Sequence, residues 1–190
     1  RIAFEIFIHP EHSPALWHAL IAAGEPFGLK PCGLAARDST RTEAGLPLYG
    51  HELAGSHTLN PADAGFGSYV KLWKPFFVGR TAFIAQEASR ERKIVRFRMD
   101  EKGVRRPETG DPVMDRRGKI IGTVTSCAID AEGFLLGLAL VPADTKRNST
   151  LYIYQLGGGT RDIRVPKEVK AGAKMPIPDT ATVLSRFPKG

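Results

Sequence analysis

GKIIGTVTSCAIDAEGFLLGLALV, residues 118–141, decides the fold of the second half of the chain. Apolar and β-branched runs of strand length stand between turn residues there, which predicts strands at 118–126 and 134–141. Pro142 ends the second run, because proline cannot donate to a ladder. DRRG, residues 115–118, reads as the hairpin turn leading in. Working outward, the same two-residue period predicts strands at 93–99, 112–114 and 151–156, and a further one at 163–165. In the first of these Val95, Phe97 and Met99 face one way and Arg96 and Arg98 the other, the pattern of a half-buried edge strand. The expectation is a small antiparallel barrel or sandwich.

Upstream of residue 91 the period is helical. Ser13 as N-cap, Pro14 at the first helical position and Gly24 as a stop bracket a helix whose Leu16, Trp17, Leu20 and Ile21 are expected in the core. A second helix over 34–44 carries Arg37, Asp38, Arg41 and Glu43 with few large apolar groups. Gly45, Pro47 and Gly50 then force a tight turn that brings Tyr49 and His51 back toward the helix end. Asn60 and Pro61 open a turn, SYVKLW (68–73) alternates as a strand, and 79–90 fits an amphipathic helix with Ala82, Phe83 and Ala85 inward. Before all of these, residues 2–8 alternate as a strand, with Ile2, Phe4, Ile6 and Ile8 on one face and Ala3, Glu5 and Phe7 on the other. Glu5 is the odd member, open to two readings: a solvated carboxylate on an open face, or a ligand-binding group.

Composition narrows the function. Lys plus Arg is 27 against 20 Asp plus Glu, a formal charge of +7, which favours anionic partners. No apolar run approaches the roughly 18 residues of a membrane span, so no membrane association is expected. The basic stretch 90–106 lacks interleaved aromatics for base stacking, so nucleic acid is not expected either. Cys32 and Cys127 show no CxxC spacing and read as free thiols of a reducing, cytoplasmic compartment, Cys127 as a small buried hydrophobe rather than a nucleophile. His9, His12, His18, His51 and His57 form no metal-binding motif, and Gly157, Gly158 and Gly159 form a turn rather than a phosphate-binding loop. These observations describe an α+β protein of unassigned chemistry.

GLKPCGLAARDSTRTEAGLPLYGHEL (28–53) resembles the signature segment of the glycine-cleavage T-protein (aminomethyltransferase) family, and FEIFIHPEHSPALWHALIAAG before it is similar to the strand and helix that lead in. NPADAGFGSYVKL with FVGRTAF resembles the family's linker, and GVRRPETGDPVMDRRGKIIGTVTS its barrel motif. The resemblance covers about residues 4–142 in the family's order. It implies a tetrahydrofolate-dependent one-carbon (aminomethyl or methyl) transferase, with folate-binding Glu5 and Arg37, and with Arg41, Tyr49 and His51 as candidates to line the site. A carboxylate can grip the amide and amino edge of a pterin with paired hydrogen bonds, and a guanidinium suits anionic or carbonyl groups.

The implied architecture is an incomplete α/β folate-binding lobe followed by a small antiparallel β-barrel. Its divisions are 1–60 for the lobe, 61–92 for a linker with a helix, 93–178 for the barrel and 179–190 for a tail. The family's Gly-Tyr-Thr-Gly-Glu loop and its acidic proton-handling residue have no counterpart in these residues. The chain is therefore expected to be the C-terminal part of an enzyme, carrying no catalytic residue and inactive alone. At Cys127 the family has glycine, and the C-terminal segment keeps KMP but lacks the Tyr of many members. The family further implies a lipoyl carrier protein or a small methylated molecule as the one-carbon source. Folate-dependent O- or S-demethylases and noncatalytic folate-binding regulators share the lobes and are the alternatives.

Overall fold

The computed structural model describes residues 3–155 and 178–188. Its contacts divide the chain into residues 1–37 and 38–190. In the first unit a 3-10 turn, Pro10–His12, runs straight into helix α1, Ser13–Gly24, and a second 3-10 turn, Glu25–Phe27, follows. Pro14 lies in the first turn of α1, where its missing N–H leaves no bond unmade. Ser13 does not cap the helix, because the preceding 3-10 turn already supplies the helical entry. Gly24 does mark the end: the chain doubles back so that the Leu29 N–H bonds the Gly24 carbonyl at 3.0 Å. A Cβ on Gly24 would collide with the Leu29 side chain.

Three sequence expectations fail for one physical reason. Residues 3–8 form no strand, and Phe4 and Phe7 are 87% and 88% exposed. No residue of α1 is buried, and Trp17 lies open rather than in a core. Residues 68–73 are also not a strand, since Gly67–Tyr69 is a 3-10 turn and turns follow it. Alternation only allows a strand; hydrogen bonds to a neighbour make one, and an apolar stripe becomes core only under a second layer. The described residues offer these segments neither.

The second unit is built on a barrel. Its strands are β1 (Arg92–Met99), β2 (Pro112–Met114), β3 (Ile120–Ile129), β4 (Leu135–Pro142), β5 (Thr150–Ile153) and β6 (Asp179–Val183). They close in the order β1-β4-β3-β2-β5-β6 with every pairing antiparallel. The molecule is thus α+β, with a closed barrel and not a sandwich. Strand β1 is not an edge, because β4 and β6 flank it. The closing strand β6 falls in the stretch that the sequence reads as a tail. The expected turn at 157–159, the strand at 163–165 and the KMP segment lie outside the described residues.

Val95, Phe97, Met99, Val113, Val124 and Ile153 fill the interior. Asp115 makes the expected hairpin: its carboxylate accepts the Arg117 and Lys119 N–H groups at 2.8 and 3.0 Å, and Gly118 takes the left-handed φ of 75°. A second, smaller cluster of Leu59, Ile94, Leu138 and Leu140 lies on the outer face of β1 and β4. Helix α3, Arg80–Ala88, buries Phe83 alone, and Ala82 and Ala85 face solvent, contrary to the sequence pattern.

Gly137 on β4 stands opposite Phe97, and a Cβ there would strike the Phe97 ring and the Ser126 carbonyl. Gly137→Ala is therefore expected to destabilise the barrel by about 1–3 kcal/mol through overpacking. Gly33→Ala, where an added Cβ meets no atom within 4 Å, is expected to be near neutral by comparison. Chemical denaturation of the two variants checks this.

Candidate functional site

Helix α2, Leu34–Glu43, is polar because its Arg41 is buried against carboxylates rather than solvated. Arg41 is 7% exposed, and its Nε donates to Asp38 Oδ1 at 2.7 Å. Nη1 donates to Glu52 Oε2 at 2.8 Å, and Nη2 to Ser126 Oγ at 2.7 Å as well as to Asp38. Glu52 is fully buried. Its second oxygen accepts the Ser126 hydroxyl at 2.5 Å, and Oε2 also accepts the Leu48 N–H at 2.9 Å. Every ionised oxygen and forked donor of the pair is thus satisfied, which is what a buried ion pair requires.

A bulge makes this knot possible. The register of β3 against β4 shifts between Val124 and Ser126. Val124 and Cys127 both point into the core, three residues apart, so Ser126 is turned outward to Glu52 and Arg41. Thr125, at the bulge, offers its carbonyl to Thr109 Oγ1 at 3.0 Å and lies 3.1 Å from the His51 Nδ1. The turn 45–53 is therefore fixed to β3 at two places. Arg186, beyond β6, closes the other side: its guanidinium bonds the Gly45 carbonyl and, at 2.7 and 3.1 Å, the Ala64 carbonyl, and stacks 4.8 Å from the Phe187 ring centroid. Burial, tempered by the Glu52 charge, holds its pKa down at about 10.

The residues singled out from the sequence fall in different surroundings. Glu5 and Arg37 are both exposed. Tyr49 is 80% exposed and His51 half-buried, and the expected reversal after α2 is real: the Leu46 N–H bonds the Arg41 carbonyl at 2.7 Å. Arg41 serves the framework, its donors taken up within the chain. Arg98 stacks 4.5 Å from the Phe134 centroid and pairs with Glu132 at 3.3 Å. Arg96 on the same face is half-buried, and burial lowers its pKa despite the attraction of Glu43. Sequence reasoning missed Glu52, Ser126 and Arg186. Glu52 alone left a trace, as an acid packed among glycines and leucines in a tight turn. Among the described residues no cluster of His, Cys, Asp and Glu could hold a metal ion, and no helix is long and apolar enough to cross a membrane.

Comparison with known proteins gives this framework a place. Against the crystal structure of glycine cleavage system aminomethyltransferase T from Bartonella henselae the TM-score is 0.71, over 92% of this chain and 43% of that one, at 24% identity. The fold is of that class. Residues 1–74 match the family model of the GCVT N-terminal domain. An aminomethyltransferase of Saccharopolyspora erythraea is 42% identical over 171 residues, 88% of this chain and 44% of the relative. One from Moorella thermoacetica is 44% identical over 144 residues, 75% of this chain and 38% of the relative. The chain belongs to the glycine-cleavage T-protein family. It spans less than half the length of these curated relatives.

Two outcomes follow from the knot and the bulge. Arg41→Ala leaves Glu52 buried without its partner and is expected to cost about 3–5 kcal/mol. Arg41→Met with Glu52→Leu should cost less than the sum of the single changes, as a double-mutant cycle by urea denaturation would show. Cys127 is 5% exposed, and burial raises its thiol to about 12, so near pH 8 it holds almost no thiolate. A disulfide reagent should titrate the exposed Cys32 in the native chain and both cysteines only after denaturation.

Proposed function

We propose that the whole protein is a tetrahydrofolate-dependent transferase of one-carbon units, of the aminomethyl type, and that Glu5 and Arg37 of this chain contact the folate. The observation that carries this reading is the match of residues 1–74 to the GCVT N-terminal domain, which includes both side chains, together with relatives described as aminomethyltransferases. Both residues lie at the surface rather than in a core. Glu5 is an acid in a run of apolar residues that gains nothing from it structurally. A carboxylate there can accept two N–H groups from the pterin edge, and Arg37 can donate a fork to a carbonyl or an anionic group. The one-carbon source is then a lipoyl carrier protein or a small methylated substrate, and the proton-handling acid is supplied by residues outside this chain.

Calorimetric titration of tetrahydrofolate into the whole protein tests the reading. Removing one charged partner from a shielded ligand contact costs about 2–5 kcal/mol, so Glu5→Ala and Arg37→Ala should each weaken binding well over tenfold. Lys119→Ala, just after the 115–118 hairpin turn, should leave it unchanged. Equal affinity in all of these proteins would place the folate site on other residues.

A further inference from the structure

A cavity of about 410 Å³ opens at the end of the barrel, where the ladder between β6 and β1 reaches no further than Phe97 and leaves residues 92–96 of β1 beyond it. Its volume is within the range of small-molecule sites. The buried side chains of Val95 and Val183, from the barrel core, form its floor. Its lining carries four cationic side chains, Arg90, Lys93, Arg147 and Arg186, against one carboxylate, Asp63.

The walls are fastened by backbone bonds. The Ile94 N–H donates to the Asp63 carbonyl at 2.8 Å, the Leu184 N–H to Arg96 at 2.7 Å, and the Asn148 N–H to Val183 at 2.8 Å. Asn148 takes a left-handed φ of 63°, which asparagine tolerates, and this bend holds Arg147 beside β6. The cavity is therefore formed before any ligand arrives.

The cations differ in what they already hold. Arg90 pairs with Glu87 at 3.4 Å. Arg186 is held by carbonyl oxygens, and among the described residues no carboxylate lies within ion-pair distance of it. Among the described residues the side chains of Lys93 and Arg147 make no hydrogen bond or ion pair. Asp63, the one acid, accepts the Asn60 N–H at 3.0 Å. Two uncommitted cations thus line a cavity with an apolar floor, and neither Glu5 nor Arg37 takes part.

We infer that this cavity binds a small amphiphilic anion, an apolar body bearing one phosphate or carboxylate head group, with the body on Val95 and Val183 and the head on Lys93 and Arg147. A bare inorganic anion would leave the floor wet, and a neutral apolar molecule would leave the cations without a charge-assisted partner. Both halves of the ligand are needed for affinity.

Calorimetric titration of the chain at low salt with naphthyl phosphate, naphthoate, inorganic phosphate and naphthol separates the two halves. At least one naphthyl anion should bind tenfold or more tighter than either inorganic phosphate or naphthol, and the better of the two identifies the head group. Lys93→Ala with Arg147→Ala should weaken it at least tenfold, whereas Arg116→Ala with Lys119→Ala should not. Arg147→Glu, on an exposed loop residue, should abolish it with the Tm unchanged. Naphthol binding as tightly as the anions, or anion binding that survives Arg147→Glu, would overturn the assignment.

Discussion

The buried contact of Arg41 with Glu52 and Ser126 is the constraint on which helix α2 and the turn after it depend in the second unit. Helix α2, the turn 45–53 and strand β3 are brought to one point by two charges and a hydroxyl, none of which could remain buried without the others. Desolvating a carboxylate and a guanidinium is costly, and the pair survives because each of its oxygens and donor nitrogens is matched. Such a knot adds little net stability over a well-packed apolar substitute. What it does add is uniqueness, since any slip in the turn or in β3 would leave a charge unpaired.

The bulge on β3 is the matching device on the barrel side. A regular strand would put Val124 and Ser126 on the same face, so that either a valine would be lost from the core or a serine would be buried among apolar side chains. One extra residue resolves the conflict and frees the Thr125 carbonyl for Thr109 and His51. The core then accepts Cys127 as one more apolar filler. The outer cluster of Leu59 with Ile94, Leu138 and Leu140 fastens the chain just after the turn 45–53, by packing rather than charge.

Arg186 shows how the end of the chain is drawn in. Its carbonyl partners, Gly45 and Ala64, lie more than 120 residues earlier, and the left-handed φ of 74° at Gly45 admits no Cβ so close to the Arg186 backbone. The glycine that the sequence marks as a turn former is thus also a docking point. Closure of the barrel by β6 places Arg186 there, so the last described strand fixes the turn after α2 as well as the sheet.

How much of this was legible follows from the range of each interaction. The sequence by itself determined the local elements: α1 with its Pro14 and Gly24, α2 and the reversal after it, the Asp115 hairpin, and the strands around residues 118–141, because propensity, caps and turn chemistry act within a few residues. It also carried the family, because an ordered series of motifs survives without coordinates. Only the tertiary structure decided which alternating segments become strands: β6 finds β1 and β5 as neighbours, whereas residues 3–8 and 68–73 find none among the described residues. It alone decided that Arg41 is buried and that Glu52 and Ser126, 74 positions apart, share a hydrogen bond. A backbone ladder or a buried charge pair has no local signature, since its energy exists only when two distant parts of the chain meet.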